Sequence, residues 1–229
     1  GYHRVLPKEL LDIPPLGAIN LHASLLPGYR GPVPWKWAIM HGLKETGISV
    51  HRMVPKLDSG AILATCKVDI APDDTGGSLF ARLSRVGGQL LAETVARIDE
   101  DMLEGVPQDE LFASYYSYPD EQQARVDWSQ DPEKIRNLIR ALDPSPGAWS
   151  LCHGKKYRLF GASRTSSRSG AAPGQVVALQ EKGVVVATSG GDLLIERLVG
   201  DWGAFDGDGG GFGSLRPGDV FAAFDAPGP

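Results

Sequence analysis

The hydrophobic period of this 229-residue chain changes across residues 106–123, and that change limits the fold more than any other feature. Before it, Leu79, Leu83, Val86, Leu90, Val95, Ile98 and Met102 recur near helical spacing and mark one long helix starting near Thr75, with Asp73 and Asp74 suited to its positive end. The Gly87-Gly88 pair inside it predicts a kink or a close packing contact. After Pro146-Gly147 only short alternating segments remain, at 149–151, 157–160, 175–179, 183–188, 192–198 and 219–224, separated by turn residues such as Gly190-Gly191 and Arg216-Pro217-Gly218. The two periods predict two domains: an α/β domain over 1–105 and a small antiparallel barrel over 124–229, joined by a linker over 106–123.

Within the first domain, 16–22, 47–54 and 61–68 read as strands, and 34–42 as a short helix opened by Pro34 and closed by Gly42. A second-domain helix begins at Asp131, an N-cap followed by Pro132 at the first position. Hydrophobic content of 42% against 22% charged residues excludes intrinsic disorder. A net charge of -5 excludes the basic excess of a dedicated nucleic-acid binder. No apolar run approaches the ~18 residues of a membrane span, and Gly1-Tyr2-His3-Arg4 lacks the build of a signal peptide, so a cytoplasmic protein is expected. Cys66 and Cys152 show neither ligand spacing nor a disulfide framework, and His3, His41, His51 and His153 are scattered, so no metal is expected. The run Gly207–Gly213 does not complete a phosphate-loop pattern and reads as a barrel loop.

Asn20 and His22 stand two apart on a strand, so their side chains leave the same face, at the C-terminal end of an apolar run. In open parallel sheets that end is where ligands bind. Asp58-Ser59-Gly60 follows the next strand, and a carboxylate there can hold one tautomer of an imidazole and favour its charged form. Each piece has an ordinary structural explanation: a polar strand end bonded to its loop, and an Asp in a turn.

Together the residues resemble a family. Asn20-x-His22, Ser24-Leu25-Leu26-Pro27-x-x-Arg30-Gly31 and Asp58-x-Gly60 are similar to the signature of the 10-formyltetrahydrofolate-dependent formyltransferases, whose branches include the methionyl-tRNA and amino-sugar enzymes. Leu6-Pro7-Lys8-Glu9-Leu10-Leu11, Glu45-Thr46-Gly47, Ala124–Trp128, Pro146–Trp149 and Pro173–Val176 extend the resemblance along most of the chain. It implies part of a Rossmann-like catalytic domain followed by an OB-like β-barrel domain. It also implies a co-substrate, 10-formyltetrahydrofolate, and catalysis by Asn20, His22 and Asp58. The transfer passes through a tetrahedral oxyanion; Asn20 is suited to donate to that oxygen, and His22, supported by Asp58, to donate or relay a proton.

By the same resemblance, Arg4, Val5 and Leu6 meet the pterin, Ser24, Leu25, Leu26 and Pro27 lie near the reduced folate, and Val54, Pro55, Lys56 and Leu57 close the other side. The aminoarabinose enzyme has an Arg directly after the Arg-Gly pair, where this chain has Pro32. Trp35 and Trp37 either line the amine site or pack a helix. The acidic balance and the runs Tyr29–Gly31, Arg52–Val54 and Asp58–Ile62 favour a small amine as acceptor, such as a nucleotide-linked amino sugar or a secondary-metabolism amine, with methionyl-tRNA as the alternative. A non-catalytic folate-binding or interaction module is the reading from another class. Family members carry about a hundred residues before the Asn-x-His strand and this chain has 19, so a missing N-terminal segment, supplied by another polypeptide, a proteolytic partner or a longer native chain, or else a homo-oligomer is expected, with residues 1–229 alone less than fully active.

Overall fold

The computed structural model describes residues 6–99, 104–200, 203–206 and 215–222. Backbone packing divides the chain into two units, one of Gly1–Ala38, Leu43–Asp74 and Ser78–Tyr118, the other of Ile39–Gly42, Thr75–Gly77 and Pro119–Pro229. Arg4 and Val5, Met102 and the glycine run 207–213 lie outside the described residues. Among the described residues no helix is long and apolar enough to cross a membrane.

In chain order the elements of the first region are α1 (Lys8–Leu11), β1 (Ile19–His22), α2 (Pro34–Met40), β2 (Glu45–Arg52), β3 (Ile62–Asp69) and α3 (Gly76–Asp99). The strands form one sheet in the order β1-β2-β3, and both pairings are antiparallel. These three strands of the α/β domain therefore hold no parallel pair. The 53–61 connection is too short for the crossover of a dozen or more residues that a parallel β2–β3 pair needs. β1 pairs through one edge only among the described residues.

Leu79 and Leu83 of α3 are fully buried, as are Ile48 and Val50 of β2 to within 2%. A side chain at Gly87 would meet Leu21 Cδ2 at 2.8 Å and Ile48 Cδ1 at 3.5 Å, so this glycine lets the helix lie against the sheet, and α3 continues through it. Of the two expectations for Gly87-Gly88, close packing holds at Gly87.

Residues 106–118 belong to the first unit and are not a plain spacer. Val106 and Ile62 exchange backbone bonds of 2.8 Å in each direction, a 3-10 turn over Glu110–Phe112 is capped by Asp109, and Arg30 forms a parallel bridge with Tyr115. The packing boundary falls between Tyr118 and Pro119. Low apolar periodicity misleads here because this segment is fastened by polar groups, described below.

The second unit holds α4 (Pro132–Ala141), β4 (Ala148–Cys152), β5 (Lys155–Arg164), β6 (Val176–Gln180), β7 (Gly183–Thr188), β8 (Gly191–Gly200) and β9 (Gly203–Asp206). Asp131 caps α4 by accepting from the Glu133 N–H at 2.8 Å, with Pro132 at the start. The strand order is β4-β5-β8-β7-β6, all antiparallel, with β9 also on β8. Residues 219–222 tie the two ends together: Ala222 N–H donates to Leu151 O, and Val176 N–H to Asp219 O. The core is Trp128, Ile139, Leu142, Val184, Leu193, Ile195 and Phe221, each at most 1% exposed.

Candidate active site

β1 and β2 build the centre of the site through their register. Asn20 stands opposite His51, and His22 opposite Ser49, so four polar side chains share one face of an otherwise apolar pair. Ser49 is fully buried and satisfied; its Oγ donates to Ser24 O at 2.8 Å and accepts from Leu26 N–H at 3.0 Å. The predicted 24–27 segment is thereby latched to β2. The Ser24 hydroxyl is spent within its own turn, donating to Gly28 O at 2.7 Å.

Asp58 lies between two imidazoles. Its carboxylate is 3.6 Å from His22 Nδ1 and 3.7 Å from His51 Nε2, and all three side chains are at most 10% exposed. Oδ2 accepts from the Gly31 N–H at 2.9 Å. His22 Nε2 faces the Tyr29 carbonyl at 2.9 Å; a carbonyl only accepts, so Nε2 carries a proton. The structure thus sets Asp58 beside His22, with Asn20 on the same strand face as His22 and linked to the cluster through His51.

His51, in sequence one of several scattered histidines, belongs to this cluster. Its Nδ1–H donates to Arg52 O at 2.8 Å, which leaves Nε2 as an acceptor for Asn20 Nδ2 at 3.3 Å. Burial lowers its pKa from 6.5, with the electrostatic influence of His22 and Arg30 adding to the effect; the Arg52 carbonyl and Asp58 oppose it without prevailing. The neutral ring is the stable one, and it orients the Asn20 amide. The alternation Ser49-x-His51, matching Asn20-x-His22, was the available signal.

Asp58 has a φ of 48°, which strains a non-glycine residue. Two residues on, a side chain at Gly60 would stand 1.8 Å from Arg52 O. Arg30, completely buried, is the other anchor of the turn. Its Nη2 donates to Gln108 Oε1 at 2.7 Å and Glu110 Oε1 at 3.0 Å, its Nη1 bonds Tyr115 Oη, and its guanidinium lies 5.2 Å from the centre of the Tyr115 ring. Gln108, Glu110 and Tyr115 all lie in the segment read as a linker. Glu110 also accepts from Lys56 Nζ at 2.6 Å.

The remaining predicted residues fall into two groups. Leu6, Leu25 and Pro27 are half-buried, and Leu26 is buried. Val54, Pro55, Lys56 and Leu57 are exposed, with Val54 at 41% and Leu57 at 45%. Apolar side chains uncovered beside a buried His–Asp pair suit a flat aromatic ligand better than they suit a core. Trp37 is buried, donates its indole N–H to Ser117 O at 2.8 Å and packs on Tyr116; Trp35 stacks on Phe80 at 4.5 Å. Both tryptophans therefore follow the packing alternative.

Family models match most of the chain, the formyl transferase model over residues 1–95 and the formyl transferase C-terminal domain model over 120–200. The chain belongs to the formyl transferase family. A methionyl-tRNA formyltransferase of Halalkalibacterium halodurans is 43% identical over 188 residues, covering 82% of this chain and 59% of that protein. The chain thus spans about three-fifths of the length of this relative. Among solved structures, a methionyl-tRNA formyltransferase from Clostridium thermocellum is similar with a TM-score of 0.61 at 22% identity, over 73% of this chain and 71% of that one. An N-formyltransferase from Helicobacter canadensis, solved with folinic acid and dTDP-3-aminofucose, has a TM-score of 0.68 at 19% identity, over 85% of this chain and 71% of that one. Both structural likenesses establish the fold.

Proposed function

We propose that the complete protein carrying this chain moves a formyl group from 10-formyltetrahydrofolate to the amino group of methionyl-tRNA. The observation that carries the reading is the buried His22–Asp58 pair, with half-buried Asn20 joined to it through His51, in a chain 43% identical to a methionyl-tRNA formyltransferase. The bound folate supplies an activated formyl carbon. That carbon's bond to the folate nitrogen breaks, a bond to the amine forms, the amine gives up a proton and the folate nitrogen gains one.

This chain's residues suit that exchange. The Asn20 amide has two N–H donors; one is held by His51, and the other is available to the formyl oxygen as it gains charge. His22, with Nδ1 toward Asp58, is suited to donate or relay a proton once its Nε2–H exchanges the Tyr29 carbonyl for the reacting centre. The uncovered Val54 and Leu57 fit one wall for the pterin.

The acceptor choice departs from the sequence reading, which put a small amine first. That reading rests on the runs Tyr29–Gly31, Arg52–Val54 and Asp58–Ile62 and on the agreeing net charge of -5, and a whole-chain balance does not report a local surface. Residues 155–170 carry Lys155, Lys156, Arg158, Arg164 and Arg168 with no acid, and Lys155, Arg164 and Arg168 are exposed. That local charge favours an RNA acceptor. The test is formylation by the complete natural protein of methionyl-tRNA, a nucleotide-linked amino sugar and simple amines, repeated across salt concentrations. Methionyl-tRNA should react fastest, with a rate that falls steeply with salt. Efficient formylation of a small amine with none of methionyl-tRNA overturns the acceptor.

A further inference from the structure

We propose that Gln108 is a positioning residue that sets the Asp58 carboxylate, acting through the backbone of its turn. The inference rests on the formyl-transfer reading and names a residue outside the three side chains that reading uses. Asp58 has to be held, because its φ of 48° is unfavourable and the preceding residues Val54–Leu57 are exposed and bring no core anchor. Gln108 Nε2 donates to Asp58 O and to Gly60 O, each at 2.8 Å. Its Oε1 accepts from Arg30 Nη2 at 2.7 Å and Nε at 3.2 Å. A carbonyl cannot donate and a guanidinium cannot accept, so these partners permit one orientation of the amide.

Arg30 is itself fixed. It is completely buried, its N–H donates to Ser114 O at 2.8 Å and its carbonyl accepts from Tyr116 N–H at 2.9 Å. The next residue, Gly31, gives its N–H to the Asp58 carboxylate. Arg30-Gly31 therefore holds Asp58 twice, by the carboxylate directly and by the main chain through Gln108. With both holds in place the carboxylate sits between His22 and His51. Release of the main-chain hold lets the strained turn relax and carries the carboxylate away from His22.

Two substitutions separate this role from simple support of Arg30. Gln108→Glu keeps an oxygen for Arg30 and loses both donors to the turn; Gln108→Met loses both functions at similar size. In the complete protein both variants should lower kcat by about tenfold to a hundredfold, the scale of a small misplacement at a reacting centre, with KM for donor and acceptor within about twofold. In an Asp58→Asn background, Gln108→Met should add little further loss, because the two residues act as one unit. Hydrogen exchange gives a readout independent of turnover: the Gly31 amide should lose protection in Gln108→Met. Wild-type kcat in Gln108→Glu, full additivity with Asp58→Asn, or unchanged Gly31 protection each overturns the proposal. Absence of formyl transfer by the wild-type protein overturns the functional reading instead, and Gly31 protection still decides the role of Gln108.

Discussion

Replacing His51 by Phe tests whether a buried, neutral histidine orients the Asn20 amide. The phenyl ring fills nearly the same space but offers no acceptor to Asn20 Nδ2 and no donor to Arg52 O. The Asn20 contact is long at 3.3 Å, so its orienting value is at the ordinary level for a hydrogen bond, about 0.5–1.5 kcal/mol. At about 1.4 kcal/mol per factor of ten, that predicts a kcat lowered by up to about tenfold. The ceiling is loss of the amide itself, ~10²–10³-fold for one donor to a developing oxyanion, and Asn20→Ala measures it. The orphaned Arg52 carbonyl adds a stability cost of about 1–3 kcal/mol, read separately by urea unfolding.

Single-turnover formylation at saturating donor isolates the chemical step. His51→Gln, which restores an acceptor, should recover part of the loss. The ratio of wild-type to His51→Phe rates should be constant at neutral and alkaline pH, because burial keeps His51 uncharged there. It should shrink below the ordinary histidine range, where Nε2 takes a proton and can no longer accept from Asn20. A His51→Phe rate within twofold of wild type at neutral pH, or a loss equal to that of Asn20→Ala, refutes the orienting role.

Gly60→Ala should unfold the Asp58 turn, since a Cβ 1.8 Å from a backbone oxygen forces the main chain to move; urea unfolding should register a loss of at least about 1–3 kcal/mol, together with loss of turnover. Glu110 has its pKa pulled from 4.5 to about 2 by its bonds to Arg30 and Lys56, so its stabilising effect is complete above about pH 4.5 and is lost as the pH falls toward 2. The difference in urea midpoint between wild type and Glu110→Gln should therefore close over that interval, and a gap that persists at pH 2 contradicts it.

Local rules made much of the fold legible. The period of Leu79 and Leu83 marked α3, and Asp131-Pro132 marked the start of α4 because capping and a missing N–H act within one turn. Alternation located most of the strands of the second unit, where each inward side chain needs the core around Trp128 and Phe221. Strand direction was not legible in the same way. It depends on which edge meets which, and a Rossmann-like resemblance favoured parallel pairing for strands that the 53–61 connection makes antiparallel.

The same distinction separates the legible from the hidden half of the site. Asn20, His22 and Asp58 carry a recognisable spacing because their chemistry dictates residue type. Their supports answer to a different requirement: each buried polar atom has to find a partner, and the partner is found across the fold. His51 comes into play only through the antiparallel register that sets it opposite Asn20. Gln108, Glu110 and Tyr115 come into play only because Arg30 is buried with a charge to satisfy. A polar stretch between two domains looks like solvent-exposed linker by composition, and here much of it is exposed, yet Gln108, Glu110 and Tyr115 bond the buried Arg30. A buried arginine beside a catalytic turn requires acceptors from somewhere, and in this chain the stretch without apolar periodicity supplies them.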